Sequence, residues 1–171
     1  MSPTLRFGLT LGGLLSAWPL VLFALGLDRE PSLQTVSTFV NLIIISSVMY
    51  VALKRRRDVE GNGFMSVGQA FGHAFRISAI ASLISATFSY LYFTLVNPEI
   101  VDWMKLKQEE EMIARGASDA EVEQAMKIME TWMSPGFMVV MGILVILILC
   151  LVIALILAAF LKKVDPSAEI S

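Results

Sequence analysis

Four stretches of the chain, residues 7–27, 31–53, 77–98 and 131–161, contain no Asp, Glu, Lys or Arg. About 20 apolar residues rising 1.5 Å each cross a hydrocarbon layer roughly 30 Å thick, so each stretch predicts a membrane-spanning helix. The expected helices cover residues 5–27, 36–53, 67–96 and 137–161. The third is longer than the hydrocarbon requires, which places its membrane core at 77–96. Its first ten residues, with Gln69, His73 and Arg76, then lie at headgroup level, behind a Ser66/Gln69 capping box. Trp18-Pro19 interrupts the first helix, and proline removes one backbone hydrogen bond there.

The one sizeable polar segment is 97–135. Asn97-Pro98 and Ser134-Pro135 bound it, each pairing a capping residue with proline at a first helical position. Within it, 98–115 reads as a helix stopped by Gly116, and Ser118 with Glu121 forms a capping box that opens a second helix over 119–133. The two predict an antiparallel helical hairpin. Val122, Ala125, Met126, Met129 and Met133 fall on one face of the return arm at helical spacing, opposite Ile100, Val101, Met104, Met112 and Ile113. The tail, 164–171, is short and polar and is expected to be disordered. The expected fold is an all-α membrane protein and a single integral membrane domain, with four transmembrane helices and an extracytoplasmic hairpin between helices 3 and 4.

Composition agrees with this class. Charged residues make up 16% of the 171, against about 25% in soluble domains. The placement of the charges adds an orientation. Lys54, Arg55, Arg56 and Arg57 follow the second span, and Lys162 and Lys163 end the fourth. Basic loops resist translocation, so 54–66 and both termini are expected to be cytoplasmic. Residues 97–135 hold nine acids and four bases, a net of −5, and belong outside. A cleaved signal peptide is the rival reading of the first run. Its 21 uncharged residues exceed the roughly 7–15 of an h-region, so an uncleaved helix is favoured. The basic cluster also suits anionic lipid, with Asp58 and Glu60 partly cancelling it.

Candidate chemistry is sparse. Ser78, Ser82, Ser85 and Ser89 recur along one side of the third span, and Asn41 lies within the second. Such a stripe reads either as close helix packing or as the polar wall of a substrate path. No second helix offers a matching stripe and no carboxylate lies at the midplane, which favours packing. Gly8-x-x-x-Gly12 is a second candidate packing face, and Ala154-x-x-x-Ala158 a weaker one. Cys150 is the sole cysteine and reads as a small core residue. With one histidine and one cysteine, a catalytic zinc centre with three such ligands cannot be assembled. The acids near Gly116 lack calcium-loop spacing, and the methionines match a helix core better than a copper site. No cofactor, metal or nucleic acid is expected.

A distinctive string then emerges: Gly63-Phe64-Met65-Ser66-Val67-Gly68-Gln69-Ala70-Phe71, the serine-rich span, Tyr92-Phe93, Asn97-Pro98-Glu99, the acidic hairpin, and Met133-Ser134-Pro135-Gly136-Phe137. This pattern resembles the four-span membrane proteins of Bacteroidota classified as the domain-of-unknown-function family numbered 4199. The resemblance implies a bacterial inner-membrane location and no established activity, and it transfers no functional residue. The leading expectation is a non-enzymatic interaction or assembly subunit. It would bind another membrane or periplasmic protein, or a second copy of itself, through the hairpin, with Met126, Met129 and Met133 as the partner surface, and through the small-residue helix faces. The alternative is a small transporter or channel subunit using the Ser78–Ser89 seam.

Overall fold

The computed structural model describes residues 1–162. Lys163 and the tail 164–171 lie outside the described residues. Six α-helices follow in order: α1 (Pro3–Ala24), α2 (Ser32–Arg55), α3 (Val67–Leu91), α4 (Glu99–Ala114), α5 (Asp119–Trp132) and α6 (Pro135–Leu161). No strand occurs among the described residues. A π-helical turn, Arg56–Glu60, prolongs α2, and another, Tyr92–Val96, prolongs α3. With those turns included, four helices are long and apolar enough to cross a membrane: Pro3–Ala24, Pro31–Glu60, Val67–Val96 and Pro135–Leu161.

Local chemistry explains most of the boundaries. Ser2 caps α1 by accepting the Leu5 N–H at 3.3 Å, with Pro3 at the first helical position, where its missing donor costs nothing. The helix continues through Pro19. At the start of α3, the Ser66 N–H donates to Gln69 Oε1 at 3.0 Å while Ser66 Oγ accepts the Gln69 N–H at 3.2 Å, the expected reciprocal box. The second helix differs from expectation, because residues 54–60 stay helical instead of opening the loop 54–66. An Arg56–Glu60 ion pair one turn apart supports that extension, and the Gly61 N–H closes the π turn on the Arg56 carbonyl at 2.9 Å.

The helices group into two compact units, Met1–Ser85 with the residues from Ile143 onward, and Ala86–Gly142. The first unit is cored by Leu11, Ile45, Met49, Leu53, Ile77 and Cys150, with Ala70, Ala74, Ala81, Ala154 and Ala158 filling the close approaches. Small side chains serve at these approaches because lipid tails are as apolar as leucine, so association inside a bilayer rests on tight packing. In the second unit, Tyr92, Ile100 and Val101 form a small core that Phe88, Trp103, Met104, Met133 and Met138 cover. Asn97 Nδ2 donates to the Tyr92 hydroxyl at 3.1 Å, beside the turn into α4.

The short link from α4 to α5 depends on Gly116, whose φ of +82° falls in the left-handed region that other residues avoid. Immediately after it, the Glu121 carboxylate accepts the Ser118 N–H and the Ser118 hydroxyl, both at 2.8 Å. These bonds hold the Glu121 carboxyl below the ordinary glutamate value, the backbone bond contributing most. A carboxylate with a depressed pKa stabilises the fold at neutral pH and loses that contribution as pH falls through the lowered value. Ser118→Ala removes the hydroxyl bond and keeps the larger backbone one, so it is expected to move the Glu121 titration part of the way up toward that of an ordinary glutamate, as read by carboxyl carbon NMR. An unmoved titration would contradict the hydroxyl's share in the cap.

Candidate functional site

The Gly8-x-x-x-Gly12 face lies directly against α3. A Cβ placed on Gly8 would sit 2.6 Å from Ile80 Cγ2, and one on Gly12 would sit 2.8 Å from Ile84 Cβ and 3.0 Å from the Ala81 carbonyl oxygen. Gly13, the next residue, has nothing within 4 Å. The two glycines thus form a contact within the chain rather than an open face. Ala154 and Ala158 are likewise buried in the first unit's core.

Three of the four serines of the stripe lie in the first unit. Ser78, Ser82 and Ser85 are buried, while Ser89 is half-buried in the second unit. The hydroxyls of Ser78, Ser82 and Ser85 point at backbone. Ser78 Oγ donates to the Ala74 carbonyl at 2.7 Å and Ser82 Oγ to the Ala79 carbonyl at 3.1 Å. Ser85 reaches across to the Gly12 carbonyl at 3.4 Å, and Ser16 of α1 donates to that same oxygen at 2.8 Å. Serine here combines small volume with a hydroxyl that satisfies itself locally. Cys150 of α6 lies beside the Ser78 hydroxyl.

Asn41 Oδ1, on α2, is shielded and has no hydrogen-bond partner among the described residues. Elsewhere along α2, the Trp18 indole N–H donates to Ser37 Oγ at 3.0 Å, a tie between α1 and α2 that sequence spacing does not announce.

A cleft of about 360 Å³ lies between the first turns of α1 and the last turns of α2. Arg6 and Arg55 line it together with the hydroxyl residues Thr10 and Ser47 and the apolar Phe7 and Val48. Neighbouring basic groups are occupied elsewhere: Arg56 pairs with Glu60, Arg57 with Asp58 at 2.6 Å, and Lys54 stands 5.8 Å from the centre of the Tyr50 ring. Lys162 is exposed just past the end of α6. The cleft was not evident from sequence, because its two arginines are 49 positions apart. The available signal was that each one flanks a charge-free run.

On α4 and α5, Met126, Met129 and Met133 are half-buried, and Met133 packs on the Ile100/Val101 core. Val122 is buried, whereas Ile113, expected to face it across the turn, is 59% exposed. The most open apolar side chains on these helices are Leu106, Ile113, Ile128 and Trp132, each more than half exposed. Among the described residues, no three His, Cys, Asp or Glu side chains gather as a metal site would require.

A family model described as "Protein of unknown function (DUF4199)" matches residues 6–163. No curated protein matches the chain. No solved structure matches it either.

Proposed function

The chain belongs to the DUF4199 family, and from that premise and its geometry we propose a membrane-embedded, non-enzymatic interaction or assembly subunit. It recognises another membrane or periplasmic protein, or a second copy of itself, through α4 and α5. One observation carries this reading. Leu106, Ile113, Ile128 and Trp132 stay open to solvent on helices that are otherwise strongly acidic. Large apolar groups rimmed by polar ones characterise contact surfaces, and tryptophan is the side chain most often found at their energetic centre. The Gly8/Gly12 and Ala154/Ala158 faces are engaged within the chain, which supports placing the contact on these two helices instead.

The proposed setting is a bacterial inner membrane, with both termini cytoplasmic and the α4–α5 hairpin periplasmic. The basic run 54–57 and the net charge of −5 over 97–135 support that orientation.

Photo-reactive residues at Leu106, Ile128 and Trp132 of the full chain, activated in native membranes, test the reading. Protein-sized adducts are expected, and Trp132→Gln combined with Ile128→Gln is expected to cut their yield from position 106 by about tenfold or more. Adducts to lipid alone, at every position, would overturn it.

A further inference from the structure

We propose that the cleft between the ends of α1 and α2 binds the phosphate headgroup of an anionic phospholipid. The proposal rests on reading these helices as spans but is independent of any role for α4 and α5.

Charge is the first argument. Arg6 and Arg55 line one cavity, and among the described residues neither takes part in an ion pair. Both are exposed, so an anion seated in the cleft would be met by two cations without displacing a carboxylate. The adjacent Arg56 and Arg57 are each paired with an acid, whereas the two arginines that enter the cleft are not. Guanidinium groups suit phosphate because their planar N–H donors bind two oxygens at once.

Depth is the second. Arg6 is the last charge before the uncharged run 7–27, and Arg55 lies two residues beyond the run 31–53. The α1 start and the α2 end therefore meet the same bilayer surface, at the level where phosphates lie. Thr10 is about 6 Å deeper than Arg6 along its helix, and Ser47 about 12 Å deeper than Arg55. Below the cations the wall is thus mixed, hydroxyl and apolar, as the glycerol esters and first methylenes of a lipid require.

Hydrogen bonding is the third. Ser16, Thr38, Ser78 and Thr94 all donate to carbonyls of their own helices. Among the described residues, Thr10 and Ser47 make no such bond and keep their hydroxyls available. The volume of about 360 Å³ falls at the lower end of the roughly 300–1,000 Å³ typical of small-molecule sites. A headgroup and glycerol fit in such a space, and the acyl chains continue into the bilayer.

The test is native mass spectrometry of the full chain in neutral detergent, titrated with dioleoyl phosphatidylglycerol or dioleoyl phosphatidylcholine. Each basic residue near a membrane surface contributes about 1 kcal/mol, or about fivefold, toward an anionic lipid. Arg6→Gln and Arg55→Gln should each weaken phosphatidylglycerol binding about fivefold, and the double variant about 25-fold, with phosphatidylcholine unchanged. Val48→Trp should abolish retention of phosphatidylglycerol by filling the cleft while leaving every charge in place. Lys54→Gln, a cation outside the cleft, should change binding less than twofold. Equal affinity for the two lipids, or a Lys54→Gln effect as large as that of Arg55→Gln, would overturn the proposal. Displacement of the lipid by excess inorganic phosphate would assign the cleft to a soluble phosphate and overturn it as a lipid site.

Discussion

Gly8→Ala and Gly12→Ala are each expected to destabilise the chain by about 1–3 kcal/mol, whereas Gly13→Ala leaves it unchanged or more stable by up to about 1 kcal/mol. All three substitutions add one methyl group to the same helix and raise its intrinsic propensity. Only the surroundings differ. At Gly8 the new carbon would lie 2.6 Å from Ile80 Cγ2, and at Gly12 it would lie 2.8 Å from Ile84 Cβ and 3.0 Å from a backbone oxygen. None of these is the far end of a flexible side chain, so relief requires α1 to move off α3. That shift would also lengthen the Ser85–Gly12 hydrogen bond, already 3.4 Å. Reversible unfolding of the purified chain in mixed micelles, titrated with sodium dodecyl sulfate, measures the three differences. Equal effects at positions 8, 12 and 13 would show that α1 and α3 do not pack through this face.

The same face illustrates what was legible in the sequence. Small residues four apart announce that some backbone comes close, and that much follows from Gly8 and Gly12 alone. Which helix approaches does not follow, because Ile80 and Ile84 look like any other apolar residues of α3. Helix ends were readable wherever local chemistry sets them, as at Ser66/Gln69 and Ser118/Glu121, where the bonds join residues three apart. The prolongation of α2 to Glu60 was less so, since lysine and arginine after an apolar run suggest a loop, while the Arg56–Glu60 pair and the π turn sustain the helix. On α5 the apolar spacing was correct in period but incomplete about exposure. Met126, Met129 and Met133 share one face, yet how far each is covered depends on how the α4–α5 pair folds against its own small core. Hence Ile128 and Trp132, off that stripe, are the more open side chains. The arginine cleft was invisible for a simpler reason. It exists only when two helices lie side by side, and neither sequence neighbourhood contains a motif.

Ser78→Leu is expected to disrupt the first unit by several kcal/mol, while Ser78→Ala and Ser82→Ala change stability by less than about 1 kcal/mol. The contrast follows from where the hydroxyls point. Ser78 is fully buried, bonded to the α3 backbone and beside Cys150 of α6, within a core rich in alanine. Removing its oxygen releases an Ala74 carbonyl that already belongs to the helix ladder, so little is lost. Adding a leucine side chain forces apart helices whose approach depends on small volume. A polar wall for transport predicts no such contrast in activity, with alanine as damaging as leucine because the hydroxyl itself would face the solute. Unfolding midpoints of the three variants, taken with solute flux into liposomes containing each chain, separate the two readings. If Ser78→Leu folds as well as the parent chain, the seam is not a packing device. If flux occurs and Ser78→Ala alone removes it, the hydroxyls serve a pathway after all.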